Sequence, residues 1–147
     1  FWAEKELFPW FIQIPHENVI FETNQAVLND SELPKLDEPW AQIQEAVALY
    51  GAVAPVKLFI GGYTDTVGTR ASNQSLSERR ARTLAQWFVD QGFEGEVWYQ
   101  GFGEDGLSIE TGDEVNEAAN RRAIYLVAAD TPPRSEVTPH SNWRRLR

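Results

Sequence analysis

The chain lacks several features that would fix its class at once. It has no cysteine, which excludes disulfides and thiolate metal sites. No stretch approaches the roughly 18 apolar residues that a membrane-spanning helix needs, and no signal peptide is present. Methionine is also absent. A chain that begins at Phe1 without methionine is therefore expected to be a segment of a longer precursor or parent protein.

Positive charge is scarce: 13 Lys and Arg stand against 22 Asp and Glu, for a net charge of -9. Phosphate binding and docking on anionic lipid both need a basic surface, so the composition argues against a nucleic-acid partner and against an anionic membrane surface. A hydrophobic fraction of 42% in 147 residues suffices for one globular domain with a core.

Patterns of catalytic and metal-binding residues are missing as well. His16 and His140 have no acidic or histidine partners at metal-ligand spacing, and the acidic run near 110–117 lacks the spacing of a calcium loop. Adjacent Glu104 and Asp105 are weak grounds for a glycosidase pair. Neither a nucleophile elbow nor a phosphate-binding loop occurs. The sequence predicts a protein that is not an enzyme and that needs no cofactor or metal.

Apolar periodicity predicts the secondary structure. Trp40, Ile43, Ala46, Val47 and Tyr50 recur at helical spacing, and Ser75 with Glu78 fits a capping box. The predicted elements are a strand at 18–23, a helix at 38–50, a strand at 56–63, a helix at 75–91, a strand at 96–101, a helical turn near 114–119 and a last strand up to about 129. This β-α-β-α-β-(α)-β order predicts an α/β (α+β) two-layer sandwich, with a mixed four-stranded sheet and helices packed on one face.

Three parts of the chain differ in composition. Residues 1–17 form an aromatic-rich lead-in with two prolines, which either packs on the domain or docks a neighbouring one. Residues 18–129 are the predicted domain. Residues 130–147, with prolines and arginines among polar residues, are predicted to be a disordered tail.

The segment 61–81 concentrates the polar side chains of interest. It follows the carboxyl end of a buried strand, where α/β proteins place ligands. Asp65 lies in the loop, Asn73 precedes the predicted helix, and Arg80 can lean back towards the loop because helical side chains tilt to the N-terminus. One carboxylate and one guanidinium at the rim of a pocket suit a zwitterionic ligand such as an amino acid.

Four sequence blocks carry a family resemblance. Asn73-Gln-Ser-Leu-Ser-Glu-Arg-Arg80-Ala81 resembles the N-x-x-L-S-x-x-R-A signature of the OmpA-like C-terminal (peptidoglycan-binding) domain family. The segment 62–68, GYTDTVG, is similar to that family's G-x-T-D-x-x-G, the segment 101–105 to its G-x-G-E, and the segment 120–122 to its N-R-R. The four blocks occur in the family's order over about residues 18–129.

The resemblance implies a function and a site. Members of the family bind peptidoglycan non-covalently through the diaminopimelate of the stem peptide, and so anchor an outer-membrane or envelope protein to the cell wall in the periplasm. Asp65 would take the ligand's amine and Arg80 its carboxylate. Asn73 and Thr64 would support the loop, and Arg121 would lie near the same pocket. The membrane anchor would belong to other parts of the parent protein, and a homodimer is compatible with the resemblance.

Two other functions stay open. The acidic surface and the aromatic N-terminus also fit a protein-interaction or stator-type domain that kept the fold without wall binding. Asp65 and Arg80 could then be an ordinary surface ion pair. An envelope hydrolase is the third candidate, although no catalytic residues support it.

Overall fold

A computed structural model describes residues 11–22, 24–105, 122–134 and 138–147. Its elements are β1 (Phe11–Gln13), a 3-10 helix (Asp30–Leu36), α1 (Asp37–Tyr50), β2 (Lys57–Tyr63), α2 (Arg70–Gln91), β3 (Val97–Gly103), β4 (Ala123–Ala128) and β5 (Arg144–Arg145). Neither of the two α-helices in these ranges has the length and apolar character needed to span a membrane.

The strands form one open sheet in the order β1-β4-β2-β3-β5. β2 pairs parallel to β3 through the crossover helix α2, and antiparallel to β4. The edge strands β1 and β5 both pair antiparallel to their neighbours. The predicted mixed α/β architecture is confirmed, although the sheet has five strands where four were expected.

Successive residues of the central strands alternate between the two faces of the sheet. Leu58, Ile60 and Tyr125 share a core cluster with apolar residues of both helices, so α1 and α2 lie on the same face. Phe59 and Leu126 point to the opposite face and belong to a second cluster. Both faces of the sheet are therefore apolar, and other parts of the chain must shield both from water.

Two glycines let α2 lie close against β2 and β3. A Cβ atom on Gly62 would come within 2.5 Å of the carbonyl oxygen of Ser77. A Cβ atom on Gly101 would overlap the backbone nitrogen of Glu78. Side chains at these two positions are excluded by backbone atoms, which cannot move aside as a flexible side chain would.

The first strand is not where the sequence predicted it. Residues 18–22 have no regular structure, and the edge strand is Phe11–Gln13, within the predicted lead-in. The alternation of Val19 and Phe21 misled the prediction, because these side chains pack on the helix-side core from an irregular segment. Residues 1–10 and the predicted helical turn near 114–119 lie outside the described residues.

Helix α2 begins five residues before the predicted start, at Arg70. Thr69 is its N-cap, with the Thr69 hydroxyl accepting a hydrogen bond from the Ser72 N–H at 3.0 Å. The Ser75–Glu78 pattern that resembled a capping box lies inside the helix. Arg80 is consequently in the third turn of α2, whereas a helix that began at residue 75 would have placed it in the second.

The predicted disorder of the tail does not hold for residues 138–147. Trp143 packs against Phe59 and Phe102 on the second face of the sheet, with ring centroids 5.2 and 5.9 Å away. The Leu146 N–H donates to the carbonyl of Val97 at 2.8 Å. The composition predicted a disordered tail, but residues 138–147 pack on the second apolar face of the sheet and cover it.

Candidate functional site

The loop after β2 is fixed by backbone contacts. Thr64 and Asp65 are buried, and the Thr64 N–H donates to the carbonyl of Gly103 at 2.7 Å. The carboxylate oxygen Oδ1 of Asp65 accepts from the Val67 N–H at 3.1 Å. Gly68 has a φ of +88°, the left-handed conformation that turns the chain towards α2. These hydrogen bonds hold Thr64 and Asp65 in the loop.

Asn73, in the first turn of α2, ties this loop to the end of β3. Its Nδ2 donates to the Asp65 carbonyl at 3.2 Å and to Oε2 of Glu104 at 3.1 Å. Both partners are acceptors only, so the orientation of the amide is fixed and both its hydrogens are engaged. Asn73 is a structural link here, with its Oδ1 as the remaining polar atom.

An ionic cluster stands beside Asn73. Arg70 contacts Asp105 directly and lies 3.4 Å from Oε1 of Glu104, while Nε2 of His140 lies 2.6 Å from Oδ2 of Asp105. Partial burial favours a raised pKa for Asp105, but hydrogen bonds from His140 and Arg70 outweigh it and hold that pKa below its ordinary value. No group of metal-ligating side chains occurs in the described ranges.

Arg80 is buried on the sheet-facing side of α2, and part of its guanidinium holds a turn. Nε donates to the Gln25 carbonyl at 2.8 Å and Nη2 to the Glu22 carbonyl at 3.1 Å. The guanidinium lies 5.2 Å from the ring centre of Phe21. The Gln25 N–H closes the turn onto the Glu22 carbonyl at 2.9 Å. Sequence reasoning missed these contacts.

A cavity of about 170 Å³ adjoins Arg80. Gly62 and Tyr63, which directly precede Thr64 and Asp65, form part of its wall. Arg122 is a second lining arginine, with its guanidinium carbon 3.9 Å from the ring centre of Tyr63. Burial lowers the pKa of Arg122 and raises that of Tyr63.

The predicted site residues are thus placed in two connected groups. Thr64 and Asp65 lie in the loop, and Asn73 contacts it from the first turn of α2. Arg80 lines the adjoining cavity. Arg121 lies outside the described residues. Its neighbour Arg122 lines the cavity. Glu104, from the G-x-G-E block, contacts both Asn73 and Arg70, and the sequence pattern did not predict this role.

The arrangement brings groups of both charges to one part of the molecule. The guanidinium groups of Arg80 and Arg122 make one end of the site attractive to a carboxylate. Asp65, on the loop that continues from the cavity wall, supplies a carboxylate of the opposite charge.

Comparison with known proteins identifies the family. The model of the OmpA family matches residues 20–121. Outer membrane protein A of Escherichia fergusonii is 31% identical over 108 residues, covering 73% of this chain and 42% of the relative. The chain spans less than half the length of the curated relatives it matches.

Solved structures share the fold. The periplasmic domain of MotB superposes with a TM-score of 0.60 at 18% identity, over 82% of this chain and 63% of that one. The peptidoglycan-associated lipoprotein of Burkholderia pseudomallei gives 0.51 at 20% identity, over 76% and 90%. At these identities the likeness shows the fold alone. The family model, by contrast, covers well over half of the sequence, and the chain belongs to the OmpA family.

Proposed function

We propose that this domain binds peptidoglycan without chemistry, through the diaminopimelate of the stem peptide, and anchors an envelope protein to the cell wall. The observation that carries the proposal is the cavity beside Arg80, which is formed in part by the chain that leads into Asp65. Arg80 lines a cavity whose wall, Gly62–Tyr63, continues directly into Thr64 and Asp65. A free amino-acid centre has an ammonium and a carboxylate on one carbon, which matches this pairing of charges.

Each charged residue has a distinct role in the proposal. The Arg80 guanidinium takes the ligand's carboxylate with parallel hydrogen bonds, and Asp65 accepts from its ammonium. Asn73 and Thr64 hold the loop that carries Asp65. Arg121 lies near the same pocket in this proposal, next to Arg122, which lines the cavity.

The turn at residues 22–25 has a part in binding. Arg80 has five N–H donors, and its contacts to Glu22 and Gln25 use nitrogens at one side of the guanidinium. These carbonyls orient the planar group. Lysine carries the same charge but cannot hold two carbonyls and a carboxylate in one plane. Arg80→Lys is therefore expected to lose binding.

The names of relatives support the compartment. One is called an outer membrane protein and another a peptidoglycan-associated lipoprotein. We place this domain in the periplasm, with the outer-membrane anchor in other parts of the parent protein. Outer membrane protein A, MotB and the peptidoglycan-associated lipoprotein do not bear the names of enzymes, which supports a binding role.

The test is a titration of the ¹⁵N-labelled domain with a diaminopimelate-containing muropeptide. Amide shifts are expected at Thr64, Asp65, Asn73 and Arg80. Asp65→Asn and Arg80→Lys should each weaken binding at least tenfold, about 1.4 kcal/mol, with an unchanged circular dichroism spectrum. The exposed controls Glu45→Gln and Arg134→Lys should bind like the parent.

Absence of shifts at millimolar ligand would reject wall binding. It would favour the alternative, a protein-interaction or stator-type domain, which the likeness to the periplasmic domain of MotB also fits. A deletion of residues 1–10, which leaves β1 intact, would then be compared with the parent by size-exclusion chromatography. A change of oligomeric state would assign the aromatic N-terminus to self-association, including the proposed homodimer.

A further inference from the structure

An apolar groove lies at the end of the sheet where β2 and β3 begin, opposite to the end that carries the ligand loop. Its volume is about 560 Å³, which is within the range of roughly 300–1,000 Å³ that is typical of binding pockets. Its walls come from α1, from the end of α2 and from the residues before β2 and β3. The apolar side chains among them are Trp40, Val47, Ala48, Pro55, Val56 and Phe93.

Apolar side chains at and beside this groove remain exposed to water. Val47 lines the groove and is 38% exposed. Leu49 and Tyr50, at the end of α1, are 63% and 38% exposed, and Val53 in the following turn is 62% exposed. In the described part of the chain, the other exposed large apolar residues stand singly along the sequence. Such a concentration beside a groove is typical of a surface that contacts another segment or protein.

The register of the sheet brings the start of β1 to this same end. Phe11 and Lys57 are both paired with Ala128, one on each side of β4. Phe11 therefore lies two strands from Lys57, at a distance of about 10 Å, because neighbouring strands are about 4.8 Å apart. Lys57 is one of the residues that line the groove. The chain that precedes Phe11 is thus attached close to the groove.

Residues 1–10, which lie outside the described residues, have the composition of an occupant for an apolar groove. Ten residues span up to about 33–36 Å when extended, well beyond the distance from Phe11 to Lys57. β4 ends at Ala128, opposite Phe11, so it offers the preceding residues no further strand for pairing. Five of the ten residues are large and apolar, namely Phe1, Trp2, Leu7, Phe8 and Trp10.

We propose that residues 1–10 dock in this groove of the same molecule and cover it. The aromatic side chains of the segment pack on Trp40 and Phe93, and the exposed Val47 becomes part of the contact. A second copy of the chain carries the same segment, but attachment about 10 Å from the groove wall gives the molecule's own segment the higher effective concentration. The segment is then part of the domain, and it is not a surface for a neighbouring one.

Paramagnetic NMR spectroscopy tests this placement. The sequence has no cysteine, so Lys5→Cys gives the full chain a single site for a nitroxide label. The label should broaden the amide resonances of Gly51, Gly92 and Phe93, which line the groove, and it should leave that of Asp65 in the ligand loop unchanged. Chemical reduction of the nitroxide should restore the broadened resonances.

Two variants at exposed valines provide a matched comparison in the labelled chain. Val47→Lys places a charge in the groove and should abolish the broadening, with an unchanged circular dichroism spectrum. Val27→Lys makes the same change at a 62% exposed position that does not line the groove, and it should keep the broadening.

Three results would overturn the inference. The groove resonances stay sharp in the labelled chain, or their broadening persists in Val47→Lys, if the segment docks elsewhere. The third concerns a mixture of spin-labelled chain without ¹⁵N and ¹⁵N-labelled chain without the spin label. Broadening at the groove in that mixture would show that a second copy supplies the segment. None of these measurements depends on muropeptide binding, so the proposed function stands or fails separately.

Discussion

Among single residues, Glu104 has a role that its motif did not predict. Its side chain is 9% exposed, with one oxygen bound by Asn73 and the other facing Arg70. Asn73 in turn holds the carbonyl of Asp65. In the proposed ligand site, Glu104 would therefore act through Asn73, as a positioning residue that orders the loop before a ligand arrives.

Replacing Glu104 with glutamine tests this role. The neutral amide weakens the bond to Asn73, since hydrogen bonds to a charged group stabilise by about 1.5–3 kcal/mol and neutral ones by roughly half as much. We expect a three- to tenfold loss of muropeptide affinity together with shifted side-chain NH₂ resonances of Asn73. Glu45→Gln, on the exposed face of α1, is the control. Unchanged affinity with shifted Asn73 resonances would show that the link is structural only.

The sequence predicted some of these residues and not others. The loop holding Thr64, Asp65 and Asn73 could be predicted, because a strand end, a glycine and a helix start lie within a short segment. The partners of Arg80 could not. They are backbone carbonyls 55 and 58 positions away, in a turn where Asn24 has a positive φ of 58°. Nothing in the local pattern specifies that contact.

Among the elements, the packing of α2 on the sheet depends on glycine. Gly101→Ala would press a methyl group against the backbone of Glu78, and α2 would have to shift. Overpacking of this kind costs about 1–3 kcal/mol. Chemical denaturation should show that loss.

Gly92 is the matched control for this substitution. It ends α2 with a φ of +111°, and no atom lies within 4 Å of a Cβ placed there. Asparagine tolerates left-handed conformations better than other residues, so Gly92→Asn should cost less than Gly101→Ala. The reverse order would mean that backbone strain, and not the close approach of helix and sheet, limits these positions.

Elements with strong periodicity were predicted well. The helix at 38–50 and the strand at 56–63 match α1 and β2 within one residue at each end. The edge strands were missed because β1 and β5 have three and two residues, too few for a pattern. The tail could have been anticipated from β4, whose six residues are all buried. A strand that is apolar on both faces requires a second covering layer.

At the scale of the whole molecule, Asp105 connects distant parts of the chain. It bonds Arg70 at the start of α2 and His140 in the C-terminal segment. Its pKa is held below the ordinary value by these partners despite burial. A carboxyl group with a depressed pKa stabilises the fold above its unfolded pKa, about 3.9, and loses that effect as pH falls through the folded value.

Asp105→Asn should therefore lower the melting temperature at pH 7, and the difference from the parent should shrink as pH falls below about 4. Thermal unfolding followed by circular dichroism across this pH range measures it. Asp130→Asn, at an exposed position, is the control. A difference that stays constant with pH would attribute the effect of Asp105 to packing or to neutral hydrogen bonds.

The order of the strands also determines which hydrogen bonds of the sheet would bear a pull on the domain. The ligand loop leaves β2, the middle strand of the sheet, which is paired on both sides. If the proposed ligand binds this loop, a pull along β2 would load its hydrogen bonds to β3 and β4 together, in shear. Tension applied across an edge strand such as β5 would break bonds one pair at a time. A tether attached at the centre of the sheet can therefore hold against a pull that would peel the same sheet from its edge.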